Sequence, residues 1–212
     1  MQFTEFIKYL PKIQKVQLPA AIAHAKMAPA ERAVVQSAEY YASKNPRKSA
    51  VMMLFYPKDG VTNLVLIKRN TYPGVHSAQI SFPGGKVEPE DKDLASTALR
   101  ETFEEVAVNP VMIDIIMPYS EIYIPPSNFL VYPYLGIVVD EPIFKPDPME
   151  VAEIIELPLN VFLDDSIIEN VEMTTSYAKS IEVPAFKVQE HFVWGATAMI
   201  MSELKETIKS VL

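Results

Sequence analysis

The sequence predicts an α+β fold, a layered α/β/α sandwich with a mixed sheet between helices. Three observations carry this. Apolar runs of strand length are mixed with segments of helical spacing, without a regular strand–helix–strand repeat. Eighteen prolines against 6 glycines call for many short elements with stiff connections. The 212 residues, 49% apolar and 22% charged, suffice for one good-sized core and are too few for two ordinary domains.

The elements follow in order. Phe3, Phe6, Ile7, Leu10 and Ile13 recur at helical spacing over residues 3–15, with Pro11 limiting or kinking that helix. Residues 30–43 read as a second helix. Residues 50–56 (AVMMLFY) and 63–68 (NLVLIK) are apolar strands divided by the turn Lys58-Asp59-Gly60. Residues 94–106 are helical by pattern, with Asp91 or Asp93 placed to cap them. Residues 111–118 and 129–139 are strands, the second broken by Pro133, and Ile124-Pro125-Pro126-Ser127 is a rigid turn between them. Residues 150–157 form a short extended segment, 183–193 an edge strand, and 196–211 a closing helix. The expected organisation is an N-terminal helical extension, residues 1–45, packed on a domain spanning residues 46–212.

Charge and composition narrow the function classes. Lys and Arg number 19 against 27 Asp and Glu, a formal charge of −8, which argues against a groove that holds nucleic acid by its phosphates. No apolar run approaches the roughly 18 residues of a membrane helix. The charged N-terminus lacks the unbroken apolar stretch of a secretory signal, so a cytoplasmic location without membrane attachment is expected. The absence of cysteine removes disulfides, thiolate metal sites and cysteine nucleophiles together. Three scattered histidines offer little for zinc, so any metal is held mainly by oxygen, which favours Mg2+ or Mn2+.

The informative segment is SFPGGKVEPEDKDLASTALRETFEEVAV, residues 81–108. Glu101, Glu104 and Glu105 stand at i, i+3 and i+4, on one face of a helix. Like charges at that spacing cost on the order of 0.2–0.5 kcal/mol per pair. A helix that binds a divalent cation has a reason to accept this repulsion, although such a run alone is ordinarily a solvated acidic face. Arg100 can pair with Glu104 at i+4. Upstream, Gly84-Gly85 allow the backbone to approach a ligand closely.

These residues resemble the Nudix box, Gly-x5-Glu-x7-Arg-Glu-U-x-Glu-Glu-x-Gly-U, where U is apolar. Gly85, Arg100, Glu101, Glu104, Glu105 and Val108 fall on its key positions. The chain departs from it in three ways: Asp91 replaces the first Glu, the gap from Asp91 to Arg100 is eight residues, and Ala107 replaces the glycine. The first two departures are features of the coenzyme A pyrophosphatase-like branch. The upstream stretch LIKRNTYPGVHSAQISFPGG resembles that branch's signature through Arg69 and Phe82-Pro83-Gly84-Gly85. In it Asn70 replaces a small Ser or Ala, Gly74 replaces an Arg, and Ala78 replaces a Gly. The resemblance covers roughly residues 50–205.

The resemblance implies a Nudix fold with a catalytic loop–helix–loop, and metal-dependent hydrolysis of coenzyme A or an acyl derivative to 3′,5′-ADP and 4′-phosphopantetheine or its acyl form. The same chemistry on NADH or ADP-ribose is the alternative, and a nucleotide sensor without activity is a third reading. The implied metal ligands are Glu101, Glu104, Glu105 and the Gly84 carbonyl. Glu150 and Glu153 are both candidates for the general base, and the sequence leaves the choice open. Arg69, Lys86, Gly85 and His76 are candidate substrate contacts, with Arg100 holding the carboxylates of the box. Tyr72, Tyr123, Phe129, Tyr132 and Tyr177 are candidate stacking partners for adenine, and Trp194 is expected as a core anchor. At Ala107 a positive φ would cost on the order of 1 kcal/mol. Family habit suggests a homodimer, with the apolar N-terminal segment as a candidate interface.

Overall fold

The N-terminal apolar spacing becomes two short helices, α1 (Phe3–Phe6) and α2 (Leu10–Ile13), joined by a 3-10 turn at Ile7–Tyr9. The computed structural model describes residues 1–29, 38–71, 77–173 and 181–212. Pro11 lies in the first turn of α2, where a missing N–H breaks no helical bond. Phe3, Phe6, Leu10 and Ile13 are all buried in the chain's own core beside Phe55 and Leu64. This corrects the idea that they supply a dimer surface, because the apolar stripe is already covered. α3 (Ala20–Lys26), which the sequence reading missed, has Ile22 exposed and only Ala23 and His24 buried. α4 (Ala38–Ser43) is the described part of the helix expected over residues 30–43.

The main sheet starts as a hairpin, β1 (Arg47–Lys58) and β2 (Val61–Arg69). Asp59 and Gly60 turn it with φ of 49° and 77°, the positive pair that a two-residue hairpin requires. Pairing runs from Lys58↔Val61 to Phe55↔Leu64. Beyond it the strands take other partners: β3 (Ile80–Ser81) pairs with β2, and β4 (Gly84–Lys86) pairs with β1. α5 (Leu94–Val106) follows.

The 3-10 turn Pro110–Met112 stands where the sequence suggested the start of a strand, so β5 (Asp114–Pro118) is shorter than expected. β6 (Ile122–Ile124) and β7 (Phe129–Ile137) follow, separated by the Pro125–Ser127 turn. β7 runs parallel to β1 and is not broken at Pro133. There β7 changes antiparallel partner from β6 to β5, and the Pro133 carbonyl accepts the Tyr119 N–H at 2.8 Å. No ladder bond is needed from the missing N–H. β8 (Val151–Pro158) pairs with the free side of β2.

The chain continues through α6 (Leu159–Leu163) into β9 (Ile168–Met173), β10 (Ile181–Val188), β11 (His191–Val193) and α7 (Gly195–Lys209). The expected edge strand over residues 183–193 is instead a hairpin, with β10 central in a second sheet ordered β11-β10-β9. Trp194 is half-buried just ahead of α7 and is not a core anchor.

Alternation along β1 separates the layers. Ala50, Met52, Leu54 and Tyr56 pack with Ala98 and Val106 of α5. Met53 and Phe55 pack on the other face with Met201, Leu204 and Ile208 of α7. The result is the expected α/β/α sandwich. Each large apolar side chain buried this way contributes about 1.5–3 kcal/mol. No helix among the described residues is long and apolar enough to cross a membrane.

Candidate active site

α5 starts at Asp93, not Asp91. The Asp93 carboxylate accepts the Ser96 N–H at 2.7 Å, and the Ser96 hydroxyl accepts the Asp93 N–H at 2.9 Å, a reciprocal cap. The helix ends at Ala107, with φ 61° and ψ 25°, so the missing glycine does stand at a left-handed position.

Asp91 instead holds Arg100. The guanidinium donates to both Asp91 oxygens at 2.9 and 3.0 Å. Its Nη1 donates to Glu101 at 3.0 Å and to Glu104 at 2.8 Å, and its Nη2 also donates to the Lys86 carbonyl at 3.0 Å. One guanidinium thus ties together the loop, the cap region and two carboxylates. Arg100 holds the Asp91 carboxyl well below the usual carboxylate range, with help from the Glu88 N–H and the Thr97 hydroxyl.

Glu105 lies deeper, at 1% exposure. One of its oxygens accepts the Gly84 N–H at 2.8 Å, and the other accepts from Arg69 Nη1 at 3.2 Å. Burial pushes its pKa up to about 8 against the pull of Arg69 and the Gly84 N–H, and the charges of Glu101 and Glu150 add to the rise. Burial also raises Glu101, with Arg100 opposing and Glu104 and Glu150 adding. Glu104 is half-exposed at the rim.

Both glycines stand against close neighbours. A Cβ on Gly84, whose φ is 151°, would stand 2.4 Å from the Ala50 carbonyl oxygen and 2.6 Å from Val51 Cα. A Cβ on Gly85 would stand 2.5 Å from the Glu101 carboxylate. Glu101 therefore lies directly against the glycine loop.

The structure separates the two base candidates. Lys68 pairs with Glu153 across β2 and β8, and a register shift follows before Arg69 pairs with Val151. Arg69 follows Val65 and Ile67 onto the α5 face, while Lys68 follows Leu64 and Leu66 onto the α7 face. Glu153 is on the α7 face, 3.1 Å from His191 Nε2 and 3.9 Å from Lys68 Nζ. Glu150 precedes β8 in an exposed turn and acts electrostatically on Glu101 and Glu105. That turn is fixed to α5 by the Asp147 N–H, which donates to the Glu105 carbonyl at 3.0 Å. The sequence reading missed this role of Asp147; the Asp-Pro pair at 147–148 signals a turn but not its partner.

Other candidates are dispersed. Lys86 faces Ser49 across the β1–β4 pair, one residue out of phase with Gly85, so its side chain is on the opposite face from Glu101. Only its carbonyl joins the Arg100 cluster. Tyr123 packs on Tyr41 at 4.9 Å and donates its hydroxyl to Asn128, and Arg47 covers the Phe129 ring at 4.1 Å. Neither ring has both faces open. Tyr132 is half-buried, and burial together with the charge of Glu121 raises the pKa of its hydroxyl. His76, Tyr72, Gly74 and Tyr177 lie outside the described residues.

The donors gathered here are all oxygens, and two of them resist ionisation through burial and mutual repulsion. A hard divalent cation fits that chemistry, since it would relieve the repulsion. Among the described residues no three acidic or histidine side chains stand already converged as a ligand set: Arg100 engages Glu101 and Glu104, while Arg69 and the Gly84 N–H engage Glu105.

The NUDIX domain model matches residues 46–175. Nudix hydrolase 22, chloroplastic, of Arabidopsis thaliana is 33% identical over 163 residues, covering 74% of this chain and 53% of that protein. An uncharacterized Nudix hydrolase NudL of Photorhabdus laumondii is 30% identical over 167 residues, covering 79% of this chain and 88% of the relative. The chain spans about half the length of the Arabidopsis relatives it matches. Among solved structures, RenU, a Nudix hydrolase from M. smegmatis, is similar with a TM-score of 0.53 at 12% identity, covering 79% of this chain and 88% of that one, a likeness of fold.

Proposed function

The chain belongs to the Nudix family, and from that premise we propose that it is a metal-dependent pyrophosphohydrolase acting on coenzyme A or its acyl derivatives. The products would be 3′,5′-ADP and 4′-phosphopantetheine or its acyl form. One arrangement supports the hydrolase reading above the others: Arg100 bridges Asp91, Glu101 and Glu104 while Glu105 is held beneath the glycine loop by the Gly84 N–H. The substrate choice rests on the signature around Arg69 and Phe82-Pro83-Gly84-Gly85. A cytoplasmic location, a homodimer and the division at residues 45 and 46 belong to the same proposal, and sedimentation tests the dimer.

Glu101, Glu104 and Glu105, with the Gly84 carbonyl, would hold Mg2+ or Mn2+. When bound, such an ion supplies charge neutralisation at the diphosphate and lowers the pKa of the attacking water. Arg100 keeps Glu101 and Glu104 oriented. The proton of the attacking water would pass to Glu150, which has no ion pair among the described residues, whereas Glu153 is engaged by His191 across the sheet. Arg69 would serve first to hold Glu105 and then to meet a phosphate oxygen at the site's edge.

The test is product analysis by chromatography and mass spectrometry, with coenzyme A, NADH and ADP-ribose supplied separately with Mg2+ or Mn2+. The expected result is 3′,5′-ADP from coenzyme A, abolished in a Glu104→Gln/Glu105→Gln variant. Cleavage of NADH or ADP-ribose alone would keep the chemistry and overturn the substrate. Nucleotide binding without cleavage would favour a sensor.

A further inference from the structure

The turn that carries Glu150 is held on its β2 side by Asn70. Asn70 directly follows β2 and Arg69. Its side-chain Nδ2 donates to the Pro148 carbonyl at 2.8 Å, and its backbone N–H donates to the Glu150 carbonyl at 2.9 Å. Its own carbonyl accepts the Ala78 N–H at 3.3 Å. Both carbonyls flanking the exposed Met149 are therefore clasped by a single side chain and its backbone.

The rest of the turn is local. The Asp147 carboxylate accepts the Met149 N–H at 2.8 Å, and the Asp147 carbonyl accepts the Glu150 N–H at 3.1 Å and the Val151 N–H at 2.8 Å. These bonds shape the turn but do not fix it in the site. Its links to the surrounding elements include the Asp147 N–H on the Glu105 carbonyl and the Asn70 clasp, with the Lys145 N–H on the Val106 carbonyl before the turn and the Arg69–Val151 pair after it. The Glu150 carboxylate has no hydrogen bond or ion pair of its own among the described residues. Its position is therefore set by its backbone.

We infer that Asn70 is a positioning residue, whose clasp on the Pro148 and Glu150 carbonyls fixes the Glu150 turn to the end of β2, beside Arg69 and the Glu105 end of α5. The chemistry demands an amide. Aspartate at this position would present an acceptor to an acceptor, and alanine would leave the Pro148 carbonyl without its donor. The inference rests on Glu150 as the proton acceptor of the proposed reaction.

The experiment compares wild type, Asn70→Ala, Asn70→Asp, Glu150→Gln and the Asn70→Ala/Glu150→Gln double variant, with coenzyme A and Mg2+. Amide hydrogen exchange is followed over residues 147–151. A displaced general base loses part of a roughly 100-fold or larger contribution, so Asn70→Ala should lower kcat about tenfold with KM within about twofold. It should also speed exchange at Glu150 and Val151, and add nothing on top of Glu150→Gln. Asn70→Asp keeps the size and the backbone bond and should behave alike, which covers the case in which the alanine variant does not fold. An unchanged kcat, a rise in KM alone, unchanged exchange, or equal losses in both backgrounds would overturn the inference. Full activity in Glu150→Gln would overturn it and leave the hydrolase reading standing. A wild type that cleaves none of the three nucleotides would sink that reading and this role with it.

Discussion

Replacing Gly85 by alanine puts a methyl group 2.5 Å from the Glu101 carboxylate. Ordinary carbon contacts begin near 3.5 Å, so the carboxylate must retreat by about 1 Å. Its φ lies outside the positive region, and the obstructing atoms belong to a side chain, so the fold has room to adjust. The function has less. Glu101 is tied to Arg100 at 3.0 Å, and a retreat breaks or drags that bond. A misplacement of about 1 Å costs on the order of 100-fold in rate, which is about 2.7 kcal/mol of transition-state stabilisation. Gly85→Ala should thus lower kcat/KM for coenzyme A about 100-fold with a small change in Tm. Gly84→Ala is the contrast: its methyl group meets backbone atoms at 2.4 and 2.6 Å from a φ of 151°, so it should lose the fold itself. Activity is read as 3′,5′-ADP release and Tm by thermal unfolding. Near wild-type kcat/KM in a folded Gly85→Ala protein would refute the placement of Glu101 at the reacting centre.

Further outcomes follow from single contacts. Ala107→Gly relieves a left-handed alanine and should raise stability by about 0.5–1 kcal/mol after the extra entropy of unfolded glycine, a Tm gain of about 2 °C. A Tm loss would show that the Ala107 methyl group contributes packing that outweighs its strain. Asp91 has its folded pKa depressed, so its contribution is present above its unfolded value of about 3.9 and is lost as pH falls through the folded value. Asp91→Asn should therefore be less stable than wild type at pH 7, with a gap that narrows below about pH 4 in urea titrations; a constant gap counts against the Arg100 linkage. Glu203 is fully buried and accepts from the Ala20 N–H at 3.0 Å, from His24 at 3.3 Å and from the Ser120 N–H at 3.2 Å. Glu203→Gln leaves a backbone N–H, of Ala20 or Ser120, facing an NH2 group in either amide orientation and should cost about 1–3 kcal/mol without changing kcat. An unaltered denaturation midpoint would remove this carboxylate as the link between α3 and α7.

Parts of this molecule follow from local chemistry, and those were legible in the sequence. Apolar periodicity and the Asp93 cap delimit α5, Asp59-Gly60 forces the hairpin, and the i+4 spacing delivers Arg100 to Glu104. What escaped depends on partners remote in sequence. Pro133 is harmless because two other strands exchange places beside it. Glu150 and Glu153 look alike as a pair of acids, and only the start of β8 and the register shift at Lys68/Arg69 send one to each side of the sheet. The spacing of Phe3, Phe6, Leu10 and Ile13 states that one face is covered but not that the same chain covers it. Asp91 was visible as a cap candidate, and its bond to an arginine nine positions along required the fold.

The site follows from the way β1 and β2 exchange partners. Because they pair only near their turn, the chain between them returns as β3 and β4 and brings Gly84 and Gly85 beneath α5. The same geometry brings the end of β2, with Arg69, to Glu105, and the start of β8, with Glu150, to the same corner. Asp91, Glu101, Glu104, Glu105 and Glu150 then share this region with the guanidinium groups of Arg69 and Arg100. Asp91 neutralises much of Arg100 before Glu101 and Glu104 reach it; burial is the main cause of the raised pKa values of Glu101 and Glu105, and the neighbouring carboxylates add to the rise. A site built for stability alone would place more cations there or fewer acids. An acidic excess oriented by Arg100, Arg69 and the Gly84 N–H, with Glu104 and Glu150 at its exposed rim, is the arrangement the proposed reaction calls for, where a divalent cation and a diphosphate would arrive together.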